Sequence, residues 1–129
     1  MSKTVRREVK AFDKDGIFTT PKPERLLRRI IHLASNENDY VLDAFAGSGT
    51  TGHAVLSLNR EDRGNRRFIL IEMGDYFEAA TKRRVLKAAY SSTWQNGTAH
   101  TPTAGMSQMV QVLRLEQYED TLNNMEFSA

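Results

Sequence analysis

Twelve residues, Val41-Leu42-Asp43-Ala44-Phe45-Ala46-Gly47-Ser48-Gly49-Thr50-Thr51-Gly52, constrain this chain more than any other stretch of it. An apolar run ends in an acid, three glycines follow, and Ala54, Val55 and Leu58 then recur at helical spacing. Glycines between a strand end and a helix start let the backbone approach a ligand closely, while the first N–H groups of the helix point outward. A second apolar run, Arg67-Phe68-Ile69-Leu70-Ile71-Glu72, also closes on an acid and predicts a second buried strand. Before the first strand, Leu26, Leu27, Ile30, Ile31, Leu33 and Ala34 form one helical stripe, with Arg25, Arg28, Arg29 and His32 outside it. The spacing predicts a helix over 23–34, with proline tolerated in its first turn. Asp75 and Glu78 are spaced as a capping box for a helix running to Tyr90. Tyr76, Ala79, Ala80, Leu86, Ala89 and Tyr90 are its candidate buried side. Strands alternating with helices predict parallel pairing and an α/β layer architecture.

The rest of the chain is less informative. Residues 1–17 are polar and charged and read as a flexible or edge segment. Residues 91–105 read as a loop, 109–115 as a strand and 116–125 as a short acidic helix. The expected organisation is one partial domain over 1–129: a core over 16–90, a loop over 91–105, and a C-terminal strand and acidic helix over 106–129. Two secure strands make a small sheet, as in part of a domain. At 129 residues without a cysteine, the chain has neither disulfides nor thiol chemistry, which fits a reducing compartment. No apolar run reaches the 18 or so residues of a membrane span, so the expectation is a cytoplasmic protein with no membrane partner.

The net charge of +2 is unevenly spread: residues 103–129 carry −3 and residues 1–102 carry +5. Basic clusters at Arg6/Arg7/Lys10, Arg25/Arg28/Arg29, Arg60/Arg63/Arg66/Arg67 and Lys82/Arg83/Arg84/Lys87 suit an anionic partner such as nucleic acid. Solvated helix faces account for them equally well.

Three ligand classes use a glycine turn of this kind. A phosphate-binding P-loop needs Lys and Ser or Thr after its last glycine, whereas His53 and Ala54 follow Gly52, which excludes it. Gly47-x-Gly49-x-x-Gly52 matches the dinucleotide fingerprint, and Glu72 lies at a suitable distance. Against a dinucleotide stands Asp43, whose carboxylate would repel a pyrophosphate. S-adenosylmethionine carries an ammonium and a sulfonium, and an acid at this position suits it. Glu72 could accept from ribose hydroxyls with either ligand, and Met73 could pack on adenine or in the core.

Taken together, Phe18-Thr19-Thr20-Pro21-Lys22-Pro23-x-x-Leu26-Leu27, then Asp43-x-Phe45-Ala46-Gly47-Ser48-Gly49-Thr50-Thr51, then Ile69-Leu70-Ile71-Glu72, resemble the amino-methylating DNA methyltransferases. The order is that of the class whose cofactor region follows its catalytic region. The segments 58–68 (LNREDRGNRRF) and 115–124 (LEQYEDTLNN) resemble the modification subunits of type III restriction-modification systems, which methylate adenine N6. The resemblance spans most of residues 10–124.

It implies a Rossmann-like methyltransferase fold, present in part, and S-adenosylmethionine as cofactor. It further implies that Phe18, Thr20 and Lys22 hold the methionine end, and that Asp43, Phe45, Ala46, Gly47, Ser48, Gly49, Thr50 and Thr51 wrap the methionine and sulfonium. Glu72 would take the ribose, with Met73 beside it. DNA is the implied substrate, with a restriction subunit or a second copy as partner. The catalytic signature of that class is an acidic or polar residue, two adjacent prolines and an aromatic, which hold and stack a flipped base. Pro21, Pro23 and Pro102 are never adjacent here, and there is no room for a target-recognition region upstream. The expectation is therefore a cofactor-binding portion without a catalytic residue, inactive alone, whose partner is a catalytic and target-recognition half. Two further readings remain open: a nicotinamide-dinucleotide module and a non-catalytic assembly piece. His32, His53 and His100 lack metal-ligand spacing, and Trp94 reads as packing over a core edge.

Overall fold

A computed structural model describes residues 21–95, 97–100 and 105–125. Its elements are α1 (Glu24–Ala34), β1 (Tyr40–Asp43), α2 (Thr50–Asp62) and β2 (Arg67–Leu70), then a π-helical turn (Phe77–Lys82) leading into α3 (Arg83–Tyr90). A two-residue hairpin follows, β3 (Trp94–Gln95) and β4 (Thr98–Ala99), and then the short α4 (Tyr118–Asn123). β1 and β2 pair in parallel, with Tyr40 opposite Arg67 and Asp43 opposite Leu70. The described chain is thus α/β with a parallel pair at its centre.

α2 is the hub of the packing. Ala54, Val55, Leu56 and Leu58 are almost fully buried, because different faces of this helix meet different neighbours. Ala54, Val55 and Leu58 pack with Ile31 and Leu27 of α1 and with Val41 and Phe68 of the sheet. Leu56 packs with Val85 and Ala88 of α3, and with Phe68, Leu70 and Val110. The loop after α2 is closed by its own polar residues. Asn59 donates to the Arg66 carbonyl (2.9 Å) and accepts from the Arg66 N–H (3.1 Å). The buried Arg66 guanidinium pairs with Asp62 at 2.7 Å and donates to the Ser35 hydroxyl at 3.1 Å.

Several sequence expectations are corrected. The strands were expected to be buried, but residues alternate between exposed and half-buried in both. Among the described residues, helices cover one sheet face only, and Leu42 and Ile69 on the other are largely exposed. The stripe of α1 is likewise split: Ile31 is buried while Leu26, Ile30 and Leu33 stand open. No capping box forms at Asp75 and Glu78; the helical stretch begins after Tyr76, without a side-chain cap. Its opening π turn shifts the helical phase, since each hydrogen bond spans one residue more than in an α-helix. The buried face is Ala80, Thr81, Arg84, Val85 and Ala88, at i, i+1, i+4, i+5 and i+8, whereas Leu86 and Tyr90 are exposed. Residues 109–115 form no strand among the described residues, although Val110 packs against the core. The acidic helix is shorter than expected, Tyr118–Asn123, and the expected loop contains the β3–β4 hairpin. Trp94 donates its indole N–H to the Lys87 and Ser91 carbonyls (3.0 and 2.9 Å), beneath the Lys87 ammonium.

The basic clusters also come apart. Arg66 and Arg84 are buried, and Arg60 donates to the last carbonyls of α3, those of Ala88 and Ala89. Lys82 pairs with Glu78 at 2.7 Å, and Arg28 lies 3.9 and 3.4 Å from Glu24 and Glu61. Arg6, Arg7 and Lys10 lie outside the described residues. Most of the described cationic groups therefore serve the fold rather than a continuous surface.

Candidate functional site

Parallel pairing carries Asp43 and Glu72 to the same end of the sheet, where the glycine turn crosses from β1 into α2. The ladder continues past the strands: the Ile71 N–H donates to the Asp43 carbonyl (2.9 Å), and the Ala46 N–H to the Ile71 carbonyl (3.0 Å). Gly47 and Gly49 adopt left-handed φ values of 53° and 76°, which a side chain would disfavour. A Cβ on Gly49 would lie 2.9 Å from the Thr81 carbonyl oxygen, and one on Gly52 would lie 3.0 Å from Leu70 and 3.1 Å from Val85. The third glycine thus allows the close approach of helix and strand expected of this fingerprint.

Both acids hold the turn. Asp43 accepts from the Phe45 N–H (3.1 Å) with one oxygen and from the Thr51 hydroxyl (2.5 Å) with the other. A carboxylate offers about four acceptor sites, so Asp43 keeps one free on each oxygen. Glu72 is more heavily used. Its Oε2 accepts from the Gly47 N–H (2.7 Å), its Oε1 from the Met73 and Gly74 N–H groups (3.0 and 2.8 Å), and the Tyr76 hydroxyl donates to it as well. Desolvation alone would raise its pKa, but these donors prevail and hold it below the usual carboxylate value.

The inner side of the turn is polar and buried. The Ser48 and Thr50 hydroxyls lie 3.1 Å apart, and Arg84 donates to both, at 3.0 and 2.9 Å. Thr81 donates to the Gly47 carbonyl. His53, one turn into α2, stands 3.5 Å from Arg84. Its pKa is lowered to about 3 by burial and then by the positive charges of Arg84, Arg60 and Arg28, so it is a neutral imidazole at neutral pH.

Sequence reasoning grouped Asp43, Phe45, Ala46, Gly47, Ser48, Gly49, Thr50, Thr51, Glu72 and Met73, and the fold brings these residues together at one end of the sheet. They divide into two kinds. Ala46, Ser48, Thr50 and Thr51 are buried and face the protein, so a ligand would meet backbone there. Phe45 (86% exposed) and Met73 (93% exposed) are not core residues; they stand open at the turn. Lys22 is exposed at its side chain, and its carbonyl accepts from Thr50 at 3.4 Å. Phe18 and Thr20 lie outside the described residues. Arg84, Thr81 and His53 were missed as site residues. Thr81 and Arg84 lie on the inward face with Ala80, Val85 and Ala88, at ordinary helical spacing; the signal is that spacing, masked because two of its members are polar. The described residues contain no cluster of acids and histidines able to hold a metal, and none of their helices is long and apolar enough to cross a membrane.

A glycine turn at the carboxyl end of parallel strands is where open α/β sheets place their ligands. Residues 2–83, more than half of the chain, match the sequence model of the DNA methylase family whose members modify N6 or N4 amino groups, and the chain belongs to that family. It is 52% identical over 69 residues to the Mod subunit of the type III restriction-modification enzyme StyLTI of Salmonella typhimurium, a match covering 54% of this chain and 11% of that protein. The EcoPI Mod subunit of Escherichia phage P1 is 41% identical over 69 residues, with the same coverage. The DNA adenine methyltransferase YhdJ of Escherichia coli is 42% identical over 74 residues, covering 57% of this chain and 23% of that protein. The chain thus spans between about a tenth and a quarter of the length of these relatives.

Proposed function

We propose that this chain forms the S-adenosylmethionine-binding part of a DNA adenine-N6 methyltransferase with a Rossmann-like fold, its cofactor core spanning residues 16–90. The observation that carries the reading is the pairing of Asp43 with a glycine turn whose Gly47 and Gly49 are left-handed. Asp43 keeps acceptor sites on both oxygens, which fit an ammonium group and oppose a pyrophosphate. Phe45 and Met73 flank the turn as exposed apolar groups for the methionine chain and adenine, and Lys22 could meet the methionine carboxylate. In this reading Phe18 and Thr20 complete the methionine side. Glu72 takes the ribose diol in place of the Tyr76 hydroxyl, because its other acceptor sites are engaged by backbone. When bound, the cofactor supplies an electrophilic methyl group on its sulfonium. The residues of this chain bind and orient it. DNA is then the substrate of the whole enzyme and a restriction subunit its partner, as the names of the Mod relatives suggest.

Calorimetry tests the reading directly. The chain should bind S-adenosylmethionine with a Kd on the order of 0.1–1 mM, about −4 to −5.5 kcal/mol, and NAD+ not at all. Asp43→Asn keeps the shape and removes the charge; a hydrogen bond to a charged group is worth roughly 1.5–3 kcal/mol. Affinity should fall about tenfold or more with little change in Tm. Folded protein that gives no heat up to several millimolar, or that prefers NAD+, would overturn the assignment.

A further inference from the structure

The glycine turn is gripped from two sides. Glu72 holds the Gly47 N–H from the strand side at 2.7 Å. From the helix side, Thr81 donates to the Gly47 carbonyl, while Arg84 bridges Ser48 (3.0 Å) and Thr50 (2.9 Å). Both side chains gripping from the helix side, Thr81 at 1% and Arg84 at 7% exposure, and the two turn residues that Arg84 bridges, Ser48 at 7% and Thr50 at 4%, are buried. We propose that Arg84 and Thr81 are positioning residues for cofactor binding: they fix the backbone of Gly47–Thr50 in the shape that accepts the methionine end of S-adenosylmethionine.

The physical case has three steps. A turn with two left-handed glycines is soft, because glycine pays little to leave that conformation. Its hydroxyls at Ser48 and Thr50 would otherwise be free to turn outward and hydrogen-bond the turn's own backbone, the local competition Ser and Thr side chains offer. One nitrogen of the Arg84 guanidinium, Nη1, donates to both hydroxyls, and its two hydrogens lie fixed in the guanidinium plane, so one Arg84 draws both hydroxyls inward and leaves the outer backbone to the ligand. Neutral His53, 3.5 Å away, adds an acceptor without a competing charge. Thr81 lies within the π turn and Arg84 just after it, and such turns recur at functional sites.

The inference rests on the cofactor reading above, so the test measures the turn separately from the ligand. Thr81→Val is isosteric and removes one donor, whereas Thr81→Ser retains it. Arg84→Met removes the donor nitrogen, and Arg84→Lys keeps a charged donor without the planar geometry. Glycine amide resonances of 15N-labelled protein report the turn without cofactor, and calorimetry with S-adenosylmethionine reports binding. Thr81→Val should shift the Gly47 and Gly49 amides and raise Kd about tenfold, equivalent to about 1.4 kcal/mol. Thr81→Ser should restore both signals, and Arg84→Met should show the same loss with Arg84→Lys only partly rescuing it. A lower Tm with unmoved glycine amides and unchanged Kd would mean a merely structural role and overturn the proposal. If Arg84→Met fails to fold, the Thr81 pair decides the matter in the same way. If wild-type protein binds no S-adenosylmethionine, the cofactor reading fails; glycine amides unmoved in Thr81→Val would independently sink the positioning role.

Discussion

His53 is 8% exposed and stays neutral in the folded chain, because burial and three arginines lower its pKa to about 3. Unfolding returns it to water, where its pKa is near 6.5. Between those two values the unfolded chain binds a proton that the folded chain refuses. Stability therefore falls as pH drops below about 6.5 and levels off only near the folded value, at up to about 1.4 kcal/mol per pH unit. Glu72 acts in the same sense at lower pH: its depressed pKa gives stability that is present above the ordinary carboxylate pKa and lost as pH falls through the folded one. Urea unfolding should show the wild-type chain losing about 2 kcal/mol between pH 6.5 and 5. His53→Gln, which still offers Arg84 an acceptor, should flatten that window and leave the carboxylate-driven loss below pH 4.5. An unchanged slope would show that another group titrates.

At the scale of elements, the turn depends on how α2 is seated against β2. The seat is made at the far end of α2 by Asn59, whose amide makes two hydrogen bonds to the backbone of Arg66. Asp62 reinforces it by pairing with the buried Arg66 guanidinium. Arg63 ends the helix in a left-handed conformation (φ 59°), a position glycine more often fills. Asn59→Ala leaves a buried N–H and carbonyl without partners, at a cost of about 1–3 kcal/mol. Its Cm in urea should fall accordingly, while Kd for S-adenosylmethionine in the folded protein stays within about twofold, because additivity holds for distant sites. A large loss of affinity would instead tie the two ends of α2 together.

For the whole molecule, the distribution of apolar surface matters most. Leu42, Ile69 and Ile71 beside the sheet, and Leu26, Ile30 and Leu33 on α1, are each about half or more exposed. The described elements half-bury one side of the sheet and leave the other largely exposed. Chemistry is equally one-sided. The adenine amino group is a poor nucleophile, so a methyltransferase must flip the base, hold its amino group and stack its face; the signature that does so in this class needs adjacent prolines, which this sequence lacks. Purified chain incubated with tritiated S-adenosylmethionine and mixed-sequence DNA should give background counts, and adding a polypeptide that carries the signature should raise them. Site-specific methylation by this chain alone would require a catalytic group among residues assigned here to binding or fold.

The parallel α/β order, the glycine turn and the two acids were legible in the sequence because each depends on local rules. Apolar runs ending in Asp43 and Glu72 mark strand ends, and only glycine suits left-handed φ at 47 and 49. Tertiary structure decided what local rules do not encode. Packing against α2 and the glycine turn chose which face of the last core helix is buried, putting Thr81 and Arg84 inside and leaving Leu86 and Tyr90 outside. Carbonyl contacts drew Arg60, an ion pair Arg66 and two hydroxyls Arg84 out of apparent basic clusters. Burial of a strand depends on what lies across from it: Leu42 and Ile69 have a strand's sequence, but among the described residues only one of the sheet's faces has helices packed on it.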